Sequence, residues 1–149
     1  LFDEIDRQIL RLLLADGRMP NNALADAVGI APSTCLGRVR ALRRSGVIRG
    51  YHADVDTRAL GLPLQAVVGI RTAPHSRSKA DEFLACLCAL PGVLSAFHVT
   101  GPIDYLAHVA AESVHALRDV VGTRIATHPI VVNTETSLVF EHVYAPTGN

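Results

Sequence analysis

The 149-residue sequence has no apolar run near the roughly 20 residues that cross a bilayer, and no basic start followed by an apolar block that would mark a secretory leader. A soluble, cytoplasmic protein without membrane contact is expected. Because the sequence starts at Leu1 and not at Met, a short preceding extension is expected as well. Cysteine is scarce and odd in number: Cys35, Cys86 and Cys88, the last two spaced C-x-C. That count supports neither a disulfide framework nor a metal-ligand pattern, so reduced thiols are expected, with Cys35 and one of the other two packed as small apolar groups. Net charge is missing too, since Lys+Arg and Asp+Glu both total 14, which excludes a general polyanion binder. No G-x-S-x-G, phosphate-cradling glycine loop or paired-carboxylate arrangement occurs, so a free-standing enzyme has no motif to rest on. Seven histidines are present, yet no H-x-x-x-H, H-E-x-x-H or Cys/His cluster links them. His98 and His108 fall on strands that should pair, and His75, His115, His128 and His142 are scattered. Structural or surface histidines follow, with no metal and no cofactor.

The charge that is present is unevenly spread. Residues 1–60 hold nine arginines and seven acids, whereas residues 61–149 hold five basic and seven acidic groups. The basic end concentrates in Ala31–Tyr51, which carries Arg38, Arg40, Arg43, Arg44 and Arg49 and no acid. Pro32 suits a first helical turn and Gly46 the position after a last one, so a helix is predicted over about 32–45. At 100° per residue Cys35, Leu36, Val39 and Leu42 fall on one side, and Ser33, Thr34, Gly37, Arg40, Ala41 and Arg44 on the other, with Arg38 at the flank. Upstream, residues 22–30 form a short helix with Leu24, Ala25 and Val28 inward, closed by Gly29. Two helices crossing at a glycine turn make a helix-turn-helix, whose second helix enters the DNA major groove. Ser33, Thr34 and Arg38 are then the candidates for base edges, and Arg40, Arg43, Arg44 and Arg49 for phosphates; the Arg43 stem can also lie along the apolar side. A first helix, capped by Asp3 or Asp6 and ending near Asp16-Gly17, supplies Ile5, Ile9, Leu12 and Leu13 to the same core. A strand-like VIRGYHADV follows the third helix.

Pro32-Ser-Thr-Cys-Leu-Gly-Arg-Val-Arg-Ala-Leu42 and Gly46-Val-Ile-Arg-Gly-Tyr51 resemble the helix-turn-helix and exit strand of the leucine-responsive (Lrp/AsnC, feast/famine) transcriptional regulators. Asp6-Arg-Gln-Ile-Leu-Arg-Leu-Leu and Gly101-Pro-Ile-Asp-Tyr105 extend the resemblance over almost the whole chain. Two positions depart from it: Ala31 stands where a capping Ser is usual, and Gly37 where a long polar residue is usual. Each change costs about 1 kcal/mol of helix stability.

Residues 51–63, with Gly61 and Pro63, are expected to form a semi-ordered hinge between a DNA-binding domain (1–50, winged-helix-like) and a second domain (64–145). In the latter, strands are predicted over 64–72, 93–100, 105–111 and 130–140, and helices over about 76–90 and 113–126. This β-α-β-β-α-β order is the ferredoxin-like pattern of an α+β protein, an antiparallel sheet with both helices on one face. Ile130, Val132, Leu138 and Phe140 should share one face of the last strand, and Val131 and Val139 the other. The face left uncovered is too apolar for water, so a homodimer, or an octamer or similar assembly of dimers, is expected. Such a dimer would read a palindromic operator in double-stranded DNA.

At the turn Gly101-Pro-Ile-Asp104-Tyr105, backbone can approach a small molecule at the glycine and a carboxylate can pair with an ammonium group. From residues alone a β-turn with a solvated aspartate describes it at least as well. The resemblance implies amino-acid binding here, at Gly101, Asp104 and Tyr105, with Thr134, Glu135, Thr136 and Ser137 contributed by a neighbouring subunit. Pro102-Ile103 replace the usual acid and aromatic. Sirohaem decarboxylases share the two-domain plan and are the alternative, with His98 and His108 as tetrapyrrole handles. Five arginines on or just past the third helix favour DNA.

Overall fold

The computed structural model describes residues 2–74 and 80–143. They divide into two compact units, one containing the segment up to Asp54 and one spanning Val55–His142. The first unit holds three helices, α1 (Glu4–Ala15), α2 (Asn21–Val28) and α3 (Pro32–Arg44). Asp3 caps α1 by accepting the Asp6 N–H at 2.9 Å. Ile9, Leu24, Ala25, Cys35 and Leu42 are buried between the helices. At about 1.5–3 kcal/mol for each large apolar side chain removed from water, this small cluster is what holds the unit together.

Two glycines close helices α2 and α3. Gly29 ends α2 at φ +70°, with Ile30 N–H donating to the Ala25 carbonyl and Gly29 N–H to Asp26, a Schellman closure. Gly46 repeats the device after α3 at φ +75°, where Val47 and Ile48 N–H both donate to the Leu42 carbonyl. That second closure stands where the sequence suggests an exit strand. Val47 and Ile48 spend their donors on the helix end, and among the described residues 47–55 pair with no strand.

The second unit opens with a 3₁₀ turn, Thr57–Leu60, inside the segment expected to be a hinge. Asp56 caps it, and Gln65 Nε2 donates to Thr57 Oγ1 at 2.9 Å, fastening the turn to the sheet. The sheet has β1 (Leu64–Thr72), β2 (Val93–His98), β3 (Tyr105–Ala111) and β4 (Val131–Leu138), antiparallel in the order β2-β3-β1-β4. Helix α4 (Ala80–Cys88) follows β1; α5 (Val114–Asp119) follows β3 and continues as a π-helical segment, Val120–Ile125. Ala66, Val68 and Ile70 of β1 and Tyr105, Ala107 and Val109 of β3 are buried with Phe83, Leu87, Leu117 and Ile125 of the helical layer. The predicted α4 start near 76 lies outside the described residues.

Three side-chain expectations fail. Leu36 is exposed, Cys86 and Cys88 are both exposed, and the parity of β4 is broken. The β1–β4 register shifts between Arg71 and Thr72, so Thr72 faces Val131, not Val132. Val131 therefore turns toward the core while Val132 is 69% exposed. A bulge adds one residue to one strand and reverses the side-chain alternation beyond it.

Candidate DNA-binding face and effector cleft

On α3, the inward positions Cys35 and Leu42 fix the helix's rotation, and this leaves Ser33, Thr34, Arg40, Arg43 and Arg44 exposed. Arg49, past the helix, is exposed too. Asn21 Nδ2 donates to the Pro32 carbonyl at 2.9 Å, tying the first turn of α3 to the first turn of α2. Ala31 makes no side-chain cap, as its missing hydroxyl requires. Among the described residues Arg40, Arg44 and Arg49 have no ion pair, whereas the Arg43 guanidinium lies 6.0 Å over the Tyr51 ring. Tyr51 in turn packs so close to Gly17 that a Cβ there would come within 3.2 Å of its ring.

Arg38 departs from the role the sequence suggests. Its position three residues after Cys35 and four before Leu42 turns it toward α1, where Nη1 donates to Asp3 Oδ2 at 2.7 Å and to Asp6 Oδ1 at 2.9 Å. Its side chain is only 29% exposed. The Asp6 N–H first, and the Arg38 guanidinium second, hold the Asp3 carboxyl below its usual range; Asp6 and then Asp3 push the Arg38 guanidinium further up. A guanidinium committed to two carboxylates is not available to a base edge. Sequence reading identified both acids as helix caps and missed them as partners, because the crossing of α1 and α3 brings together residues more than 30 apart.

In the second unit the ends of β1, β2 and β3 and the turn after β2 enclose a cleft of about 550 Å³. Gly101, Asp104 and Tyr105 line it as expected, joined by Arg71, Thr72 and His98, which sequence reasoning had not placed there. Gly101 sits at φ +121°, a conformation open mainly to glycine. Asp104 N–H donates to the Ile70 carbonyl, and its Oδ2 accepts from Thr72 N–H at 2.7 Å and Thr72 Oγ1 at 3.1 Å. One carboxylate oxygen therefore holds β1 at Thr72, opposite the β4 bulge, and the other is the one left for a ligand. Ile103 folds over Gly69, whose added Cβ would meet Ile103 Cδ1 at 2.9 Å; the turn is thereby packed onto the middle of β1. Tyr105 is buried between Phe83 (ring centroids 4.9 Å apart) and a stacked His98 (4.7 Å), and burial raises its phenol pKa.

Thr134, Glu135, Thr136 and Ser137 stand opposite Ile70, Gly69, Val68 and Val67 on edge strand β4 and do not line this cleft. His98 shares the helix-covered face with Tyr105, whereas His108 lies on the open face against Gln65 (2.8 Å) and the His142 ring (5.2 Å). Two handles on opposite faces of one sheet cannot grip one flat tetrapyrrole. Among the described residues no three His, Cys, Asp or Glu side chains are placed to hold a metal ion, and no helix is long and apolar enough to cross a membrane.

Residues 2–49 match the family model for a winged helix-turn-helix DNA-binding domain, and residues 65–148 that for the Lrp/AsnC ligand binding domain. The chain is 47% identical to the HTH-type transcriptional regulator AldR of Mycobacterium tuberculosis over 95% of its own length and 79% of that protein. It is 38% identical to the leucine-responsive regulatory protein of Rhizobium meliloti, over 95% of this chain and 90% of that one. The crystal structure of the M. tuberculosis AldR superposes with a TM-score of 0.87 at 43% identity, covering 97% of this chain and 98% of that one. A transcriptional regulator of Neisseria meningitidis, solved as an L-Met complex, gives 0.85 at 29% identity, over 100% of this chain and 96% of the other. The decarboxylase alternative falls with these relatives, which are named as regulators. With its arginine-faced second helix in one unit and its sheet and cleft in the other, the chain is a DNA-binding transcriptional regulator of the Lrp/AsnC family.

Proposed function

We propose that this regulator binds a palindromic operator as a homodimer and that a small effector, an amino acid, shifts its DNA affinity from the cleft at Gly101–Tyr105. The observation that carries the DNA half is the set of exposed arginines without ion-pair partners, Arg40, Arg44 and Arg49, beside exposed Ser33 and Thr34. Ser33 and Thr34 reach base edges at the start of the helix; Arg40, Arg44, Arg49 and, more weakly, the Tyr51-bound Arg43 reach phosphates. The effector half is supported by the cleft itself and by the L-Met held by the Neisseria relative. An α-amino acid has one cation and one anion, and the cleft offers the unspent Asp104 oxygen to the first and Arg71 to the second.

Self-association is supported by the face of the sheet that no helix covers. Phe97 and Leu106 lie side by side there, with Phe97 55% exposed. A second copy laid on that face removes them from water, and further pairing through β4 would bring Thr134, Glu135, Thr136 and Ser137 to a neighbour's cleft and build an octamer or a similar ring. A thermal-shift screen of the twenty amino acids, followed by a gel shift on DNA upstream of the protein's own gene with and without the best stabiliser, tests the reading. One amino acid should raise the melting temperature and change the shift. Stabilisation by none, or by one whose effect survives Asp104→Asn and Arg71→Gln unchanged, would remove the effector from this cleft.

A further inference from the structure

The Asp3–Arg38–Asp6 cluster has a consequence for DNA affinity that goes beyond the DNA-binding reading on which it rests. One guanidinium nitrogen bridges two carboxylates, at 2.7 and 2.9 Å, and these belong to the N-cap and first turn of α1 while the guanidinium belongs to the middle of α3. Asp3 does two jobs with its two oxygens: Oδ1 caps α1 through the Asp6 N–H, and Oδ2 holds Arg38. The cluster thus fixes the start of α1 against the recognition helix at a side chain that would otherwise swing outward. Its charge also matters. Two acids and one arginine leave a net negative charge beside a helix whose other arginines are positive, and any phosphate drawn toward Arg38 must first approach both carboxylates.

We infer that Arg38 is a positioning residue, held away from DNA by Asp3 and Asp6, and that this acid pair lowers affinity for duplex of any sequence. Sequence-independent affinity grows with each neutralised phosphate, about 0.9 in the slope of log K against log salt, so withholding one arginine removes one such contact from operator and bulk DNA alike.

The test uses the full-length protein on operator and random duplex across a salt series. Asparagine caps helices about as well as aspartate, so the Asp3→Asn/Asp6→Asn double variant keeps the α1 cap while it removes both charges and turns one acceptor of each acid into a donor that repels Arg38. It is expected to bind operator and random duplex alike on the order of tenfold more tightly at 0.1 M salt, with a slope steeper by about 0.9 on both. Adding Arg38→Ala to that variant should return the slope to the wild-type value. Arg38→Ala alone should weaken operator binding with the slope unchanged, and Arg38→Lys, which can still bridge both acids, should restore it. An unchanged slope in the double variant, or a loss of discrimination at a single base pair in Arg38→Ala, overturns the inference. Failure of the wild-type protein to bind any duplex would instead defeat the DNA reading. The latch is then still judged without DNA: the melting-temperature losses of Asp6→Asn and Arg38→Ala should be non-additive, and additive losses would refute it.

Discussion

Single side chains carry the sharpest expectations. Gly92 sits at φ +82°, and a Cβ built there runs into the Ala110 carbonyl oxygen, which is backbone and cannot step aside. Gly92→Ala adds left-handed strain to that clash and should cost at least about 2 kcal/mol in urea unfolding; a loss below about 0.5 kcal/mol would mean the β2–β3 start can be rebuilt. Gly101→Ala meets open space instead and bears the φ strain alone, so it should be the milder of the two. His108 gives a pH dependence. Burial first, and the His142 ring second, hold its pKa below the ordinary histidine value, so the folded chain binds fewer protons here than the unfolded one. Stability from this site is complete above an unfolded pKa of about 6.5 and falls as pH drops through the interval beneath it. Melting temperatures taken from pH 8 down to pH 5 should show that fall, and His108→Gln should flatten it. An equal fall in both proteins would place the titration elsewhere.

At the level of elements, the recognition helix should behave as a rod whose outer arginines act independently. Arg40→Ala and Arg44→Ala should each weaken binding equally on operator and random duplex and lower the salt slope by about 0.9. A base-specific loss from either would move it from phosphate to groove. The limits of the helix were legible because Pro32 and Gly46 are local signals, and so was β1, whose alternation of Leu64, Ala66, Val68 and Ile70 needs no partner to be recognised. What stayed hidden depends on pairing across the chain. The β4 bulge is invisible until Arg71 and Thr72 meet Asn133 and Val131, and it reversed which valine faces inward. Arg38 looked like a base reader from its helical angle, since nothing local says that α1 will cross where Asp3 and Asp6 can reach it. Asp104 was named as a candidate from the turn, but the loss of one of its oxygens to Thr72 follows only from the register of β1 and β3. Residues 47–55 read as strand-like in the sequence yet pair with no strand among the described residues, because a strand needs a neighbour.

Taken as a molecule, the chain separates its two chemistries. The exposed arginines lie in one unit and the cleft in the other; on the proposed reading an effector in that cleft acts on DNA by changing how copies are assembled or how their helices are spaced. The uncovered sheet face is where that assembly is proposed. Phe97→Glu places a charge on it and should shift sedimenting species toward the monomer; an unchanged assembly would put the contact on another surface. The account as a whole is tested most directly by fluorescence anisotropy on the upstream DNA of its own gene, across a salt series, with and without the amino acid that most raises the melting temperature. About six to eight phosphate contacts per dimer predict a log–log salt slope of about −5 to −7. The effector should shift operator affinity by about 5- to 150-fold. A slope near zero, or an affinity indifferent to every amino acid that stabilises the protein, would contradict it.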